Sequence, residues 1–324
     1  MITEYKPNTI QIDLTNRCNA ACLFCARTTN PEEVGSDKNI TVDDMKKILK
    51  SDITRIIMNG TYGDASVNPH IFDIIEYIKT TQCEEIILST NGSAHTEQWW
   101  TRLGNVMRPD DKVIFALDGN TAKSHEAYRK KTSFDKVLKH AQCYINTGGW
   151  AIWQFILFDY NVDELEGAKK RAQDMGFLSF RTIYSQRNFN YKNATHKIGN
   201  KFYTKIDPIC ITRQRSYLTM NGDVTLCCWT STKDKEKGIM PNIADYDSLE
   251  ELYASNEWAE YYKLYTDHWK SVEGKLNVKE DTSEFPCTKY CGLKKRNIKE
   301  TINFTDRIFV EHVDESSTPI KSIL

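Results

Sequence analysis

The sequence predicts an α/β fold: a parallel sheet curled into an open, partial (β/α)6 barrel of the TIM-like kind, followed by a small α+β region. Three observations carry that expectation. Six short apolar or β-branched runs recur through the first 185 residues. Segments with helical spacing lie between them, and strand–helix alternation builds a parallel sheet with helices outside it. After Tyr184 the alternation stops and the chain turns polar, in SQRNFNYKNATHKIGNKFY (185–203). Expected boundaries are therefore 1–190 for the barrel and 191–324 for the appended domain.

The expected strands are TIQIDL (9–14), TRIIM (54–58), EIILS (85–89), KVIFAL (112–117), AIWQFILF (151–158) and SFRTIY (179–184). Between the second and third, Ile71, Ile74, Ile75 and Ile78 fall on one helical face behind Pro69. Between the fifth and sixth, Val162, Leu165, Ala168 and Ala172 do the same, and Gly176 ends the run. Six units are too few to close an eight-stranded barrel, so the sheet stays open. In parallel α/β folds the ligand lies at the carboxyl ends of the strands, where the loops gather.

Composition excludes several classes of function. The 324 residues carry 43 Lys+Arg against 44 Asp+Glu, a net charge of −1, which argues against a nucleic-acid or anionic-membrane surface. No apolar run reaches the length of a membrane span, and MITEYKPNTI has no signal-peptide layout, so a cytoplasmic protein is expected. Ten cysteines in a reducing compartment are better metal ligands than disulfide partners. Cys83 and Cys143 stand alone in helical contexts and read as buried structural thiols.

The other eight cysteines form two groups. Cys18, Cys22 and Cys25 occupy CNAACLFC (18–25), directly after the first strand and hence on the first ligand-facing loop. Thiolates select Fe–S clusters, zinc or Cu(I). A structural zinc site or a ferredoxin-type cluster takes four ligands, so three local thiols leave one metal position to a non-protein ligand. The alternative is a zinc site that recruits a distant fourth cysteine.

C-x3-C-x2-C after a first strand, with an aromatic, Phe24, before the third cysteine, resembles the signature of the radical S-adenosylmethionine (SAM) superfamily. In that family the three cysteines hold a [4Fe–4S] cluster whose fourth iron binds SAM. Reductive cleavage of SAM gives a 5′-deoxyadenosyl radical that removes hydrogen from the substrate. Further segments are similar to the family's loops in the right order. NGTYGDASVNPH (59–70) resembles its Gly-Gly-Glu loop, which implies SAM contacts near Gly60, Gly63 and Asp64, the last standing where Glu is common. STNG (89–92) resembles the next loop, implicating Ser89 and Asn91. ALDG (116–119) and AYRKKTSFDKVLKHA (127–141) resemble the fourth-strand pattern and the Tyr-Arg that follows it. They implicate Asp118, and Arg129 as a fork for the SAM carboxylate. A loop cap and a surface cation are the plainer readings of that pair. The resemblance covers residues 9–185 and implies an electron donor such as flavodoxin or ferredoxin.

Five cysteines follow position 200: Cys210, Cys227, Cys228, Cys287 and Cys291. SYLTMNGDVTLCC (216–228) reads as a hairpin turning at Asn221-Gly222-Asp223. The spacing from Cys210 through Gly222 to Cys227 is similar to the first half of the SPASM pattern, a carboxy-terminal extension of radical SAM enzymes, and the short complement matches its Twitch relative. The resemblance implies one fully ligated auxiliary [4Fe–4S] cluster on Cys210, Cys227, Cys287 and Cys291. Cys228 is an alternative to Cys227, since adjacent strand residues point to opposite faces. A four-cysteine zinc site is the competing reading. The Tyr- and Trp-rich stretch at 247–266 reads as ordinary helical packing.

A second, closed cluster can accept or pass an electron or hold the substrate rigid; the resemblance implies that a substrate electron passes to it in an oxidation or a bond-forming reaction on a small molecule or peptide. The first thiol lies only 17 residues into the chain, which leaves no room ahead of it for a peptide-recognition domain and tilts the expectation from long leader peptides. Candidate proton acceptors or substrate contacts at strand ends are Gln154, Asp159, Arg181 and Tyr184, with a turn cap as the plainer role for Asp159. Two other classes compete: a non-catalytic iron–sulfur scaffold, which needs no SAM loops, and a nucleic-acid-modifying radical SAM enzyme, which the balanced charge disfavours.

Overall fold

A computed structural model of the chain describes residues 7–184, 210, 215–227, 240–272 and 299–304. Its strands are β1 (Thr9–Ile12), β2 (Arg55–Met58), β3 (Glu85–Thr90), β4 (Lys112–Ala116), β5 (Trp150–Leu157), β6 (Ser179–Tyr184), β7 (Arg215–Leu218), β8 (Val224–Thr225) and β9 (Lys299–Asn303). The six expected strands are thus present. The helices are α1 (Ala26–Thr29), α2 (Val42–Ile48), α3 (Ile71–Lys79), α4 (Glu97–Val106), α5 (Ala122–Tyr128), α6 (Phe134–Ile145), α7 (Leu165–Asp174), α8 (Leu249–Ala254) and α9 (Asn256–Val272). No helix among the described residues is long and apolar enough to cross a membrane.

Strands β1 to β6 lie side by side in chain order, all parallel. Sequential winding of this kind is that of a barrel; a doubly wound sheet reverses its order at a switch point. Among the described residues the ladder does not close on itself. β7 adds to the outer side of β1 in parallel, Thr9 opposite Arg215, and β8 folds back on β7. At the other end β9 pairs antiparallel with β6, Ser179 opposite Asn303. The sheet therefore runs through residues on both sides of the expected domain boundary: the first strand of the 216–228 hairpin is a barrel-edge strand. The helical reading of 247–266 also holds, with Trp258, Tyr261 and Tyr265 buried in the same core as the barrel strands.

Alternation along the strands sorts side chains onto two faces. Ile56 and Met58, Ile86 and Leu88, Val113 and Phe115, Ala151 and Trp153 join the large core under the helices, with Met45, Ile74, Leu103 and Val137. Ile57, Ile87, Ile114 and Ile152 form a second, smaller cluster on the opposite, inner face. The helices start where side chains cap them. Thr41, Thr96, Thr121 and Ser133 accept from the backbone N–H of Asp44, Trp99, Ser124 and Lys136, which sets where each preceding loop gives way to a helix.

Cys83 is the buried thiol expected, 2% exposed, with its S–H directed at the carbonyls of Thr54 and Glu85. Cys143 differs: it is half-buried on α6, and its thiol faces Glu97 at 3.9 Å.

Candidate active site at the strand carboxyl ends

The loop after β1 brings Cys18, Cys22 and Cys25 into one apolar patch with Ala20, Phe24, Tyr128, Ile156 and Phe158. Backbone bonds fasten the loop from the far side of the barrel: Ala21 N–H donates to Lys130 O at 2.9 Å and Leu23 N–H to Tyr128 O at 3.3 Å. Cys25 sits at the amino end of α1, where its carbonyl accepts from Thr28 and Thr29. Before the cysteines, Asn16 ties down residues 34–38, donating to Val34 O and Ser36 O and accepting from Lys38 N–H. The thiols thus rest on a braced loop, as a preorganised ligand set requires.

Burial and the nearby Asp64 carboxylate push the Cys18 thiol up to about 12, and burial raises Cys22 against the opposing pull of Arg129. Metal binding must therefore expel protons from these thiols. Among the described residues no three His, Cys, Asp or Glu side chains surround a single metal-ion position. A multi-iron cluster needs no such convergence, because each thiolate binds a different iron. Three soft donors, an apolar surround and N–H groups aimed at sulfur fit a [4Fe–4S] cluster.

Those N–H groups come from the next loops. Asn91, just past β3, has Nδ2 at 3.7 Å from Cys18 Sγ, and donates to Asp64 at 2.7 Å and to Asn19 at 2.9 Å. Asn19 in turn donates to Ser93, and Ser93 to Asn91 Oδ1, so the first and third loops are knitted side chain to side chain. Asp64 is a clasp. One oxygen accepts from Ser66 N–H and Oγ, the other from Thr90 Oγ1, Asn91 N–H and Asn91 Nδ2. A carboxylate so occupied organises loops. The two glycines before it are also used by the protein itself. A Cβ on Gly63 would lie 1.9 Å from Thr15 O, and one on Gly60 2.2 Å from Gly63 O. The close approach expected of them is made by the chain's own backbone.

On the β4 side, Arg129 Nε donates to Asp118 at 2.6 Å, with side-chain exposures of 14% and 0%. Arg129 Nη1 lies 3.8 Å from Cys22 Sγ. The surface-cation reading of Arg129 is thereby overturned. Asp118 also accepts from Ile156 N–H at 2.7 Å, and Asn161 donates to its carbonyl. His125, on α5, accepts from Asp118 N–H and faces Thr132, whose hydroxyl donates to Arg129 O. Burial, reinforced by the Arg129 charge, pushes the imidazole down to about 3, so it is a neutral brace with its proton on Nε2.

Of the strand-end candidates, Gln154 and Arg181 are cross-strand partners on the inner face of β5 and β6. Ser89 shares that face from β3, half-buried. Asp159 lies in the turn after β5, a turn that Asn161 closes by accepting from Phe158 N–H and donating to Ile156 O. Tyr184 ends β6 opposite Leu157; its side chain lies outside the described residues. Cys210 and Cys227 are both buried in the main core, 5% and 4% exposed. Cys228, Cys287 and Cys291 lie outside the described residues.

Sequence reasoning missed Asp13. It follows β1 on the side of Gln11, is 5% exposed, and accepts from Thr61 N–H at 3.0 Å. Burial pushes its carboxyl up to about 7. The signal was available: a carboxylate at the inward-facing parity of an apolar strand, next to the cysteine loop. His125, Asn19 and Ser93 were missed too, since only the folded chain shows which loops meet.

The family model described as the Radical SAM superfamily matches residues 12–170. Over 190 residues the chain is 27% identical to a GTP 3′,8-cyclase of Clostridium perfringens, covering 56% of this chain and 57% of that one. It is 23% identical over 173 residues to the antilisterial bacteriocin subtilosin biosynthesis protein AlbA of Bacillus subtilis, covering 52% and 37%. The chain thus spans about half the length, or less, of these curated relatives. Among solved structures, Streptococcus suis SuiB bound to precursor peptide SuiA superposes with a TM-score of 0.61 at 11% identity, over 89% of this chain and 70% of that one, a likeness of fold. With the cysteine loop, the parallel partial barrel and this match together, residues 12–170 of the chain form a radical SAM domain, the fold of a superfamily of enzymes built around a [4Fe–4S] cluster and SAM.

Proposed function

We propose that the chain is a radical SAM oxidoreductase of the maturase type, removing hydrogen from a peptide or small-molecule substrate. The observation that carries this reading is the grouping of Cys18, Cys22 and Cys25 in one apolar patch at the carboxyl end of β1, separate from the core that holds the other described cysteines. In this reading the three thiolates hold the cluster. Residues 60–64, Ser89, Asn91, Asp118 and Arg129 line the SAM side. Bound there, the cluster and SAM supply the reducing electron and the hydrogen-abstracting radical of the superfamily.

The chain's own residues have three tasks. The apolar surround of Phe24, Tyr128 and Phe158 keeps water from the thiolates, which strengthens every polar contact inside. Asp64 and Asp118 each tie a strand-end loop to the donor that faces a cysteine sulfur. The inner-face pair Gln154 and Arg181 sets an amide and a guanidinium side by side on β5 and β6 within the barrel. Asp13, its carboxyl raised by burial to about 7, is suited to take up a proton.

The finer reading adds an auxiliary [4Fe–4S] cluster on Cys210, Cys227, Cys287 and Cys291, an electron path through it, and flavodoxin or ferredoxin as donor. The likeness to AlbA and to peptide-bound SuiB supports a peptide substrate. The likeness to GTP 3′,8-cyclase supports the second reading, a nucleotide-sized small molecule. The test is anaerobic reconstitution with iron and sulfide, followed by reduction with dithionite in the presence of SAM. Formation of 5′-deoxyadenosine is expected; iron uptake without it would leave the scaffold reading standing.

A further inference from the structure

Arg129 is nearly enclosed and its two described polar contacts join different loops: Nε to Asp118 at 2.6 Å, Nη1 to Cys22 Sγ at 3.8 Å. Asp118 is in turn fixed by Ile156 N–H, by Asn161 and by the backbone bond to His125. The Tyr128 ring lies beneath the guanidinium, 5.3 Å from its carbon, and also packs in the cysteine patch. An arginine held this way is a fixed positive charge and an N–H donor beside one particular thiol. Outer-shell donors and local charge are what tune an iron–sulfur cluster's potential.

We propose that Arg129 is a positioning residue for the cluster itself, its charge and Nη1 donor bearing on the Cys22 thiolate, with Asp118 as the anchor that aims it. This rests on the reading that Cys18, Cys22 and Cys25 hold a [4Fe–4S] cluster. It differs from a SAM-carboxylate fork in one measurable respect: the effect exists before SAM is added. One-electron reduction makes the cluster more negative, and a nearby cation favours the reduced state. The Asp118 carboxylate, farther along the same relay, opposes it weakly.

The experiment is a spectroscopic redox titration of the reconstituted protein without SAM. It compares wild type with Arg129→Gln, Asp118→Asn and the double variant, with iron content and circular dichroism measured on each. Arg129→Gln should make reduction about tenfold less favourable, or about 59 mV lower for a one-electron couple. Asp118→Asn should move the potential upward. Arg129→Gln leaves Asp118 buried without its cation and so endangers folding. The double variant removes both charges, keeps the acceptor for Ile156 N–H, and should fold with a potential between wild type and Arg129→Gln. Folded, iron-loaded variants whose SAM-free potentials all equal the wild type's would overturn the proposal. Weaker SAM binding with unchanged potentials would return Arg129 to the fork role. A triple Cys18, Cys22, Cys25→Ala protein that kept its full iron would instead sink the underlying cluster reading.

Discussion

Gly63 sits against the carbonyl oxygen of Thr15, so close that a Cβ there would lie 1.9 Å from it and 3.0 Å from Arg17 O. Asp64 N–H donates to the same Arg17 carbonyl at 2.8 Å. The loop after β2 is therefore pressed onto the backbone that leads into Cys18, and only a glycine permits that distance.

Gly63→Ala should accordingly separate the two loops. The obstacle is backbone, so relief requires the loops to shift, at a cost on the order of 1–3 kcal/mol. The expected result is a lower midpoint in urea together with reduced iron uptake. Wild-type iron content and stability in this variant would show that the contact is dispensable.

Asp13 offers a prediction in pH. Its carboxyl is raised by burial to about 7 in the folded chain, from an ordinary value of 3.8. A raised pKa means that folding binds the proton: the stability contribution is complete below about pH 4 and is lost as pH climbs through about 7. Asp13→Asn keeps the acceptor for Thr61 N–H but cannot ionise. Its advantage over wild type should be small at pH 4 and grow to on the order of 2–4 kcal/mol at pH 8. Urea unfolding at both pH values checks this; a constant difference would mean that Asp13 does not titrate in this window.

The barrel was legible because its strands are dense in Ile and Val, and because Ile71, Ile74, Ile75 and Ile78 repeat at helical spacing. The cysteine loop was legible because its spacing is local. What was not legible depends on partners far apart in the chain. That Arg215 would lie beside Thr9 has no local signature, since a short β-rich run pairs equally well with a hairpin mate or a distant edge. That Thr90 and Asn91 close over the Asp64 carboxylate has no signature in NGTYGD. Asp159 and Asn161 both suit a turn, and only the fold shows that Asn161 accepts from Phe158 N–H to close it.

The two isolated thiols separate structure from chemistry. Cys83 is 2% exposed and bonded to two carbonyls, whereas Cys143 is half-buried. Cys83→Ala should cost about 1 kcal/mol, Cys143→Ala less than about 0.5 kcal/mol, and neither should remove iron. Iron loss in either variant would place that thiol among the ligands.

For the second cluster, reconstituted wild type should carry about eight irons, four in each of two clusters. Cys287→Ala with Cys291→Ala should retain about four and still form 5′-deoxyadenosine, while losing the oxidised or cross-linked product once a substrate is in hand. Bound zinc, or four irons in the wild type, would remove the auxiliary cluster from the account.

The most direct measurement is the yield of 5′-deoxyadenosine from SAM under dithionite, wild type against the Cys18, Cys22, Cys25→Ala triple variant, each with its iron content. Steady formation by the wild type is expected. None is expected from a folded triple variant that has lost the iron those three thiols hold. A triple variant that still formed 5′-deoxyadenosine would contradict the radical SAM reading.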